Sequence, residues 1–148
     1  MRVCVQRDDF DTAAEVETLR RASGNIGAVV TFTGVVRGAD DLSSLTLEHY
    51  PGMTEREIER HIALAQARWP ILGATVIHRI GELRPGENIV LVATAAEHRR
   101  AAFEAAEFLM DYLKTRAPFW KWEQRGGVSG WVGARKSDEA ALTRWRED

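Results

Sequence analysis

Apolar and polar positions alternate in Arg2-Val3-Cys4-Val5-Gln6, which predicts a first strand. Asp11 or Thr12 then caps a helix over 13–22, ended by Ser23-Gly24-Asn25. Residues 26–36 are rich in β-branched side chains and predict a buried strand that stops at the polar loop 37–41. In 44–50, Leu45, Leu47 and His49 alternate with Thr46, Glu48 and Tyr50, so another strand follows. Pro51-Gly52 is a turn. Thr54 caps a second helix, Glu57 completes a capping box, and Pro70 stops the helix after about Trp69.

Residues 74–80 and 88–95 predict two more strands, with strong turn chemistry at 81–87 between them. A third helix starts near Glu97 and carries an apolar face of Phe103, Ala106, Met110 and Leu113. Pro118 cannot continue it and pushes Ala117 out of the helical region. Residues 120–125 and 131–135 then flank 126–130 as a hairpin. The charged segment of about 136–148 is a short helix or a mobile tail. Consecutive strands with few crossovers predict an α+β fold, a mixed and largely antiparallel sheet with helices packed on it plus a C-terminal hairpin. No repeat or linker interrupts the 148 residues, so they form one domain, long enough for a real core.

Composition narrows the function. The net charge of −2 gives no nucleic-acid footprint. No apolar run is long enough to span a membrane, and the first residues carry no signal-peptide pattern, so cytoplasm is the expected compartment. Cys4 is the single cysteine, so no disulfide forms within the chain, and a free buried cysteine usually behaves as a small hydrophobe. His49, His61, His78 and His98 show no metal-ligand spacing, and no metal or cofactor is expected.

The most informative stretch surrounds the Pro118 bend. Lys114 falls in the last turn of the third helix and Lys121 just past the bend, among Phe119, Trp120 and Trp122, which should bury. Two ammonium groups held together against an apolar wall suit an anionic substrate or an acid/base role. The helix dipole alone also favours a lysine at this position. Other cations sit at element ends: Arg37 after the long strand, His98 and Arg99 at the start of the third helix, Arg135 at the end of the hairpin. A helix N-terminus and guanidinium forks are what a phosphate needs. Taken singly, each arginine reads as a surface residue; their joint placement at loop ends is what points to a site.

Five segments carry a resemblance. They are 29–37 (VVTFTGVVR), 45–53 (LTLEHYPGM), 76–83 (VIHRIGEL), 96–99 (AEHR) and 110–121 (MDYLKTRAPFWK). In this order, over nearly the whole domain, they resemble the large, catalytic subunit family of molybdopterin synthase, with an α/β-hammerhead-like fold. The resemblance implies a sulfurtransferase of molybdenum cofactor biosynthesis. Such enzymes convert cyclic pyranopterin monophosphate to molybdopterin by installing two sulfurs as a dithiolene. Sulfur arrives as a thiocarboxylate on the C-terminal Gly-Gly of a small ubiquitin-like subunit. Lone Cys4 fits a chain with no sulfur carrier of its own.

By the same resemblance, Lys114 and Lys121 are the catalytic lysines. Arg37, His98 and Arg99 are phosphate and pterin contacts, and Arg135 is a further anion-binding position. Val35, Val36, Trp122 and Glu123 complete the substrate-binding set, although the family often has a basic residue where Trp122 stands. Phe32 and Met110 are pocket walls. Glu123 follows Lys121 at strand spacing, so both point the same way and could pair. A binding module that docks a ubiquitin-like tail without chemistry is the alternative reading, but it would not need this cationic set. A small RNA-binding domain is weakened by the near-neutral charge.

Helix geometry adds one expectation. Arg99 and Lys114 are fifteen residues apart, roughly 22 Å along an unbroken helix at 1.5 Å per residue. One pterin phosphate could hardly touch both. A symmetric homodimer with antiparallel third helices would bring Arg99 of one copy beside Lys114 of the other, giving two equal sites; with the small subunits that the resemblance implies, this makes a heterotetramer. Otherwise one of the two lies outside the site, or the helix breaks near Ala105-Ala106.

Overall fold

The computed structural model describes residues 1–39, 41–133 and 136–146. The chain runs β1 (Arg2–Gln6), α1 (Thr12–Arg20), β2 (Ala28–Val35), β3 (Leu42–His49), α2 (Met53–Arg68) and β4 (Ile71–Arg79). It continues through β5 (Gly81–Leu83), β6 (Asn88–Ala96), α3 (Arg99–Thr115), β7 (Phe119–Arg125), β8 (Val128–Val132) and α4 (Lys136–Arg146). The α+β class holds, but the strands divide between two four-stranded sheets. One has the order β1-β4-β6-β2, the other β5-β3-β7-β8. Only β1 and β4 pair in parallel among the described strands.

The first sheet carries the main core. Ile58, Ile62 and Ala65 of α2 and Phe108 and Leu109 of α3 pack on Val76, Val90 and Val92. Each large side chain fully buried here contributes about 1.5–3 kcal/mol by leaving water. The buried face of α3 is rotated from the expected one. Ala101, Ala102, Ala105 and Ala106 are buried while Phe103 is 60% exposed. Small side chains let the helix backbone approach β6, and the Thr94 hydroxyl donates to the Ala102 carbonyl at 2.6 Å.

The second helix also begins differently. Gly52 is its N-cap, and the Glu55 carboxylate accepts the Gly52 N–H. Thr54 is therefore not the cap. Its hydroxyl accepts the Tyr50 N–H at 3.1 Å and donates to the Pro118 carbonyl at 3.0 Å. The turn expected at 81–87 includes strand β5, which pairs with β3 at Leu45–Leu47. The hairpin loop shrinks to Gly126-Gly127. Both residues have positive φ, 50° and 85°, as a type I′ hairpin turn requires, and β8 starts at Val128.

The last segment, left open between helix and tail, contains α4. It docks on α3: Trp145 Nε1 donates to Asp111 at 2.6 Å, and the indole meets Phe108 edge-on at 5.5 Å. Leu142 is buried beneath it.

Candidate active site

Lys114 sits in the last turn of α3, as the Pro118 break predicts. The Arg116 and Ala117 N–H groups both donate to the Tyr112 carbonyl, at 2.7 and 3.2 Å, which closes the helix. The chain then enters β7 and pairs with β3, placing Phe119 opposite His49, Lys121 opposite Leu47 and Glu123 opposite Leu45. Side chains alternate across a strand. Phe119, Lys121 and Glu123 all line one cleft, of about 570 Å³. Trp120 and Trp122 turn the other way. Trp120 meets Tyr50 at 4.1 Å and is 41% exposed, and Trp122 meets Trp131 at 4.9 Å.

The far wall of the cleft comes from β2 and the residues just after it: Phe32, Val35 and Arg37. The β2–β6 register shifts between Gly34 and Val35, an irregularity that re-aims the strand end. Gly34 lies so close to β6 that a Cβ there would stand 2.8 Å from Val90 Cγ1. Met110 and Leu113 of α3 complete the apolar lining. The cleft thus combines apolar walls with three cationic side chains, Arg37, Lys114 and Lys121. This combination suits a flat ring bearing anionic groups.

Glu123 shares the cleft with Lys121, and its carboxylate accepts from Arg125 Nε at 2.7 Å. Asp138, in the first turn of α4, also lines the cleft. The acids and bases therefore come from α3, β7, the end of β2 and α4.

The cleft lining also includes His78 of β4, a residue to which the sequence assigns no role. It lines the cleft, is 8% exposed, and stacks on Phe119 with ring centroids 3.8 Å apart at 21°. Its Nδ1 is 2.8 Å from the Arg79 carbonyl oxygen. That oxygen only accepts, so Nδ1 carries the hydrogen and Nε2 is left as an acceptor. Burial, then the charges of Lys114 and Lys121, lower the His78 pKa from 6.5 to about 4, against the opposing hydrogen bond to Arg79. The ring is neutral at physiological pH and adds no charge beside the two lysines. A polar residue in the otherwise apolar run Val76-Ile77-His78 was the available signal in the sequence.

Other expected site residues lie elsewhere. His98 is the N-cap of α3, highly exposed, with Nε2 3.6 Å from Glu97. Arg99 is exposed one residue on. The helix is continuous from Arg99 to Thr115, so these two residues stand roughly 22 Å from Lys114 along its axis. Val36 is 3% exposed and packs with Leu45, Leu47 and Leu83. Its N–H and carbonyl are taken by Glu87 and Gly86. Trp122 faces away from the cleft, as strand alternation from Lys121 requires. Arg135 lies outside the described residues. Among the described residues, no group of three or more His, Cys, Asp or Glu could hold a metal ion. No helix there is long and apolar enough to cross a membrane.

Known proteins share this arrangement of sequence and fold. Residues 5–116 match the family described as MoaE protein. Over 147 residues the chain is 58% identical to the molybdopterin synthase catalytic subunit of Mesorhizobium japonicum, covering 97% of this chain and 92% of that one. Its structure is similar to that of molybdopterin cofactor biosynthesis protein E from Burkholderia multivorans, with a TM-score of 0.84, 54% identity, and 97% and 95% of the two chains covered. It is also similar to the molybdopterin synthase structure from Staphylococcus aureus, with a TM-score of 0.81, 29% identity, and 87% and 95% covered. With a family match over 112 residues and more than half the positions identical to a full-length relative, the chain belongs to the MoaE protein family.

Proposed function

We propose that this chain is the catalytic subunit of a molybdopterin synthase, a sulfurtransferase that converts cyclic pyranopterin monophosphate to molybdopterin. The observation that carries this reading is the convergence of Lys114, Lys121 and Arg37 on one apolar-walled cleft. A relative named as a catalytic subunit implies a further subunit, and here that partner is the sulfur donor. Cys4 is the chain's single cysteine and is not among the cleft residues, so the sulfur comes from outside the chain. The donor is a small ubiquitin-like subunit bearing a thiocarboxylate at its C-terminal Gly-Gly, and the enzyme works in the cytoplasm without a resident cofactor.

The roles follow from charge and reach. Arg37 pairs with phosphate oxygens, and Phe32 and Met110 hold the pterin ring between them. Lys114 and Lys121 neutralise the thiocarboxylate as it approaches, which preorganises charge where the reaction develops it. As ammonium groups they also donate protons, and as the resulting amines they take them back, while the pterin side chain loses water and its phosphate ring opens. His78 supplies a neutral acceptor at the floor of the cleft.

His98 and Arg99 enter through a second copy. They stand roughly 22 Å from Lys114 on one unbroken helix, so one phosphate cannot bridge them within a chain. A symmetric homodimer with antiparallel α3 helices gives two equal sites, each completed by the other copy's helix start. Two small subunits then make a heterotetramer. The test is turnover: the purified chain with thiocarboxylated small subunit and the cyclic precursor must yield molybdopterin. A donor carrying an ordinary carboxylate must not support it.

A further inference from the structure

We infer that Thr54 is a positioning residue for the two lysines: its hydroxyl latches the Pro118 bend to the start of α2 and so sets where Lys114 and Lys121 stand. The inference rests on the site proposed above. Thr54 is fully buried in the first turn of α2, where a buried hydroxyl needs partners. It finds them outside its own helix. The Tyr50 N–H donates to its oxygen at 3.1 Å, and its hydrogen goes to the Pro118 carbonyl at 3.0 Å, sixty-four residues along the chain. The direction of the second bond is fixed, because a carbonyl oxygen only accepts.

The location gives the bond its meaning. Lys114 and Lys121 are fixed to different elements, and only residues 115–120 join them. Within that connection Arg116 and Ala117 bond back to Tyr112 of α3, and Phe119 bonds back to Ala117. Those are local contacts. Pro118 has no N–H, so its carbonyl is its one backbone hydrogen-bonding group. That group is tied to α2 by Thr54. Two neighbours reinforce the same junction. Tyr50, whose N–H enters the latch, meets Trp120 at 4.1 Å, and His49, paired with Phe119, has Nε2 3.3 Å from Glu55. Losing the hydroxyl removes this bond between the bend and α2 while leaving both lysines in the chain.

The test uses the full chain with its thiocarboxylated partner. Thr54→Val replaces hydroxyl by methyl at nearly constant shape, and Thr54→Ser keeps the hydroxyl. Misplacement of catalytic groups on the ångström scale costs about 10–100-fold, so Thr54→Val should lose that much kcat. Its KM should stay close to wild type, because the groups that bind the substrate remain. Thr54→Ser should keep near-wild-type kcat. Wild-type kcat in folded Thr54→Val, a loss confined to KM, or equal damage in Thr54→Ser overturns the inference. If Thr54→Val does not fold, Thr54→Ala takes its place with the same expectations. Amide exchange of residues 119–122 gives a reading independent of turnover. It should quicken in Thr54→Val and not in Thr54→Ser, and unchanged exchange in Thr54→Val also overturns the latch. If wild type itself makes no molybdopterin, the proposed function fails, and the exchange experiment still decides the latch.

Discussion

His78 and Phe119 stack face to face, with ring centroids 3.8 Å apart, on the side of the cleft that carries Lys121. The stack joins the two sheets, since His78 belongs to β4 and Phe119 to β7. It also buries an imidazole within reach of the charges of Lys114 and Lys121, and that lowers stability at acid pH.

The folded His78 titrates at about 4, against about 6.5 when unfolded. Well above pH 6.5 the ring is neutral in both states and contributes no pH dependence. As pH falls from 6.5 towards 4 the unfolded chain takes up the proton first, so the folded state loses stability. Between pH 7 and 5 the loss from this residue is about 2 kcal/mol. His61, also lowered chiefly by burial, acts in the same direction. Urea unfolding of wild type and His78→Gln at both pH values checks this. The variant should lose about 2 kcal/mol less than wild type; equal losses would show that His78 is not held neutral.

Much of this arrangement was legible in the sequence, for identifiable reasons. Pro118 is an unambiguous stop, so Lys114 in a last helical turn and Lys121 beyond the bend followed from backbone sterics. Strand alternation puts Lys121 and Glu123 on one face, and the same rule excludes Trp122. The start of α2 was misread because Thr54-x-x-Glu57 fits a capping box, while a partner sixty-four residues away leaves no local trace. The rotated face of α3 was hidden because alanine reads as weakly apolar, yet close approach to β6 selects it over Phe103. His78 escaped because its role depends on Phe119 and two lysines brought in by tertiary packing.

If Lys114 and Lys121 neutralise a thiocarboxylate as proposed, the donor's tail should enter by its backbone and terminal charge. Adding one residue beyond its second glycine displaces the charged terminus by roughly 3.3–3.6 Å. Turnover should fall sharply while binding, measured by calorimetry, changes far less. An extended donor that reacts at the normal rate would contradict terminal-charge recognition.

Sharing of the site across a dimer makes a claim about mixtures. Arg99→Ala and Lys114→Ala homodimers should each be nearly inactive. Co-expressed mixed dimers regain one intact site, built from Lys114 of the first variant and Arg99 of the second. Activity approaching half of wild type per verified mixed dimer is expected, and no recovery would place both residues in one chain's site.

The central claim is that Lys114 does chemistry in this cleft, and Lys114→Ala tests it most directly. As a last-turn lysine its contribution to stability through the helix dipole is only about 0.3–1 kcal/mol, so the variant should fold. Removing a positioned charge from a reacting site costs a factor of about 100 or more. Molybdopterin formation from thiocarboxylated small subunit and cyclic precursor, measured on folded protein, should therefore drop about 100-fold or further. Formation at the wild-type rate by a folded Lys114→Ala variant would contradict the account.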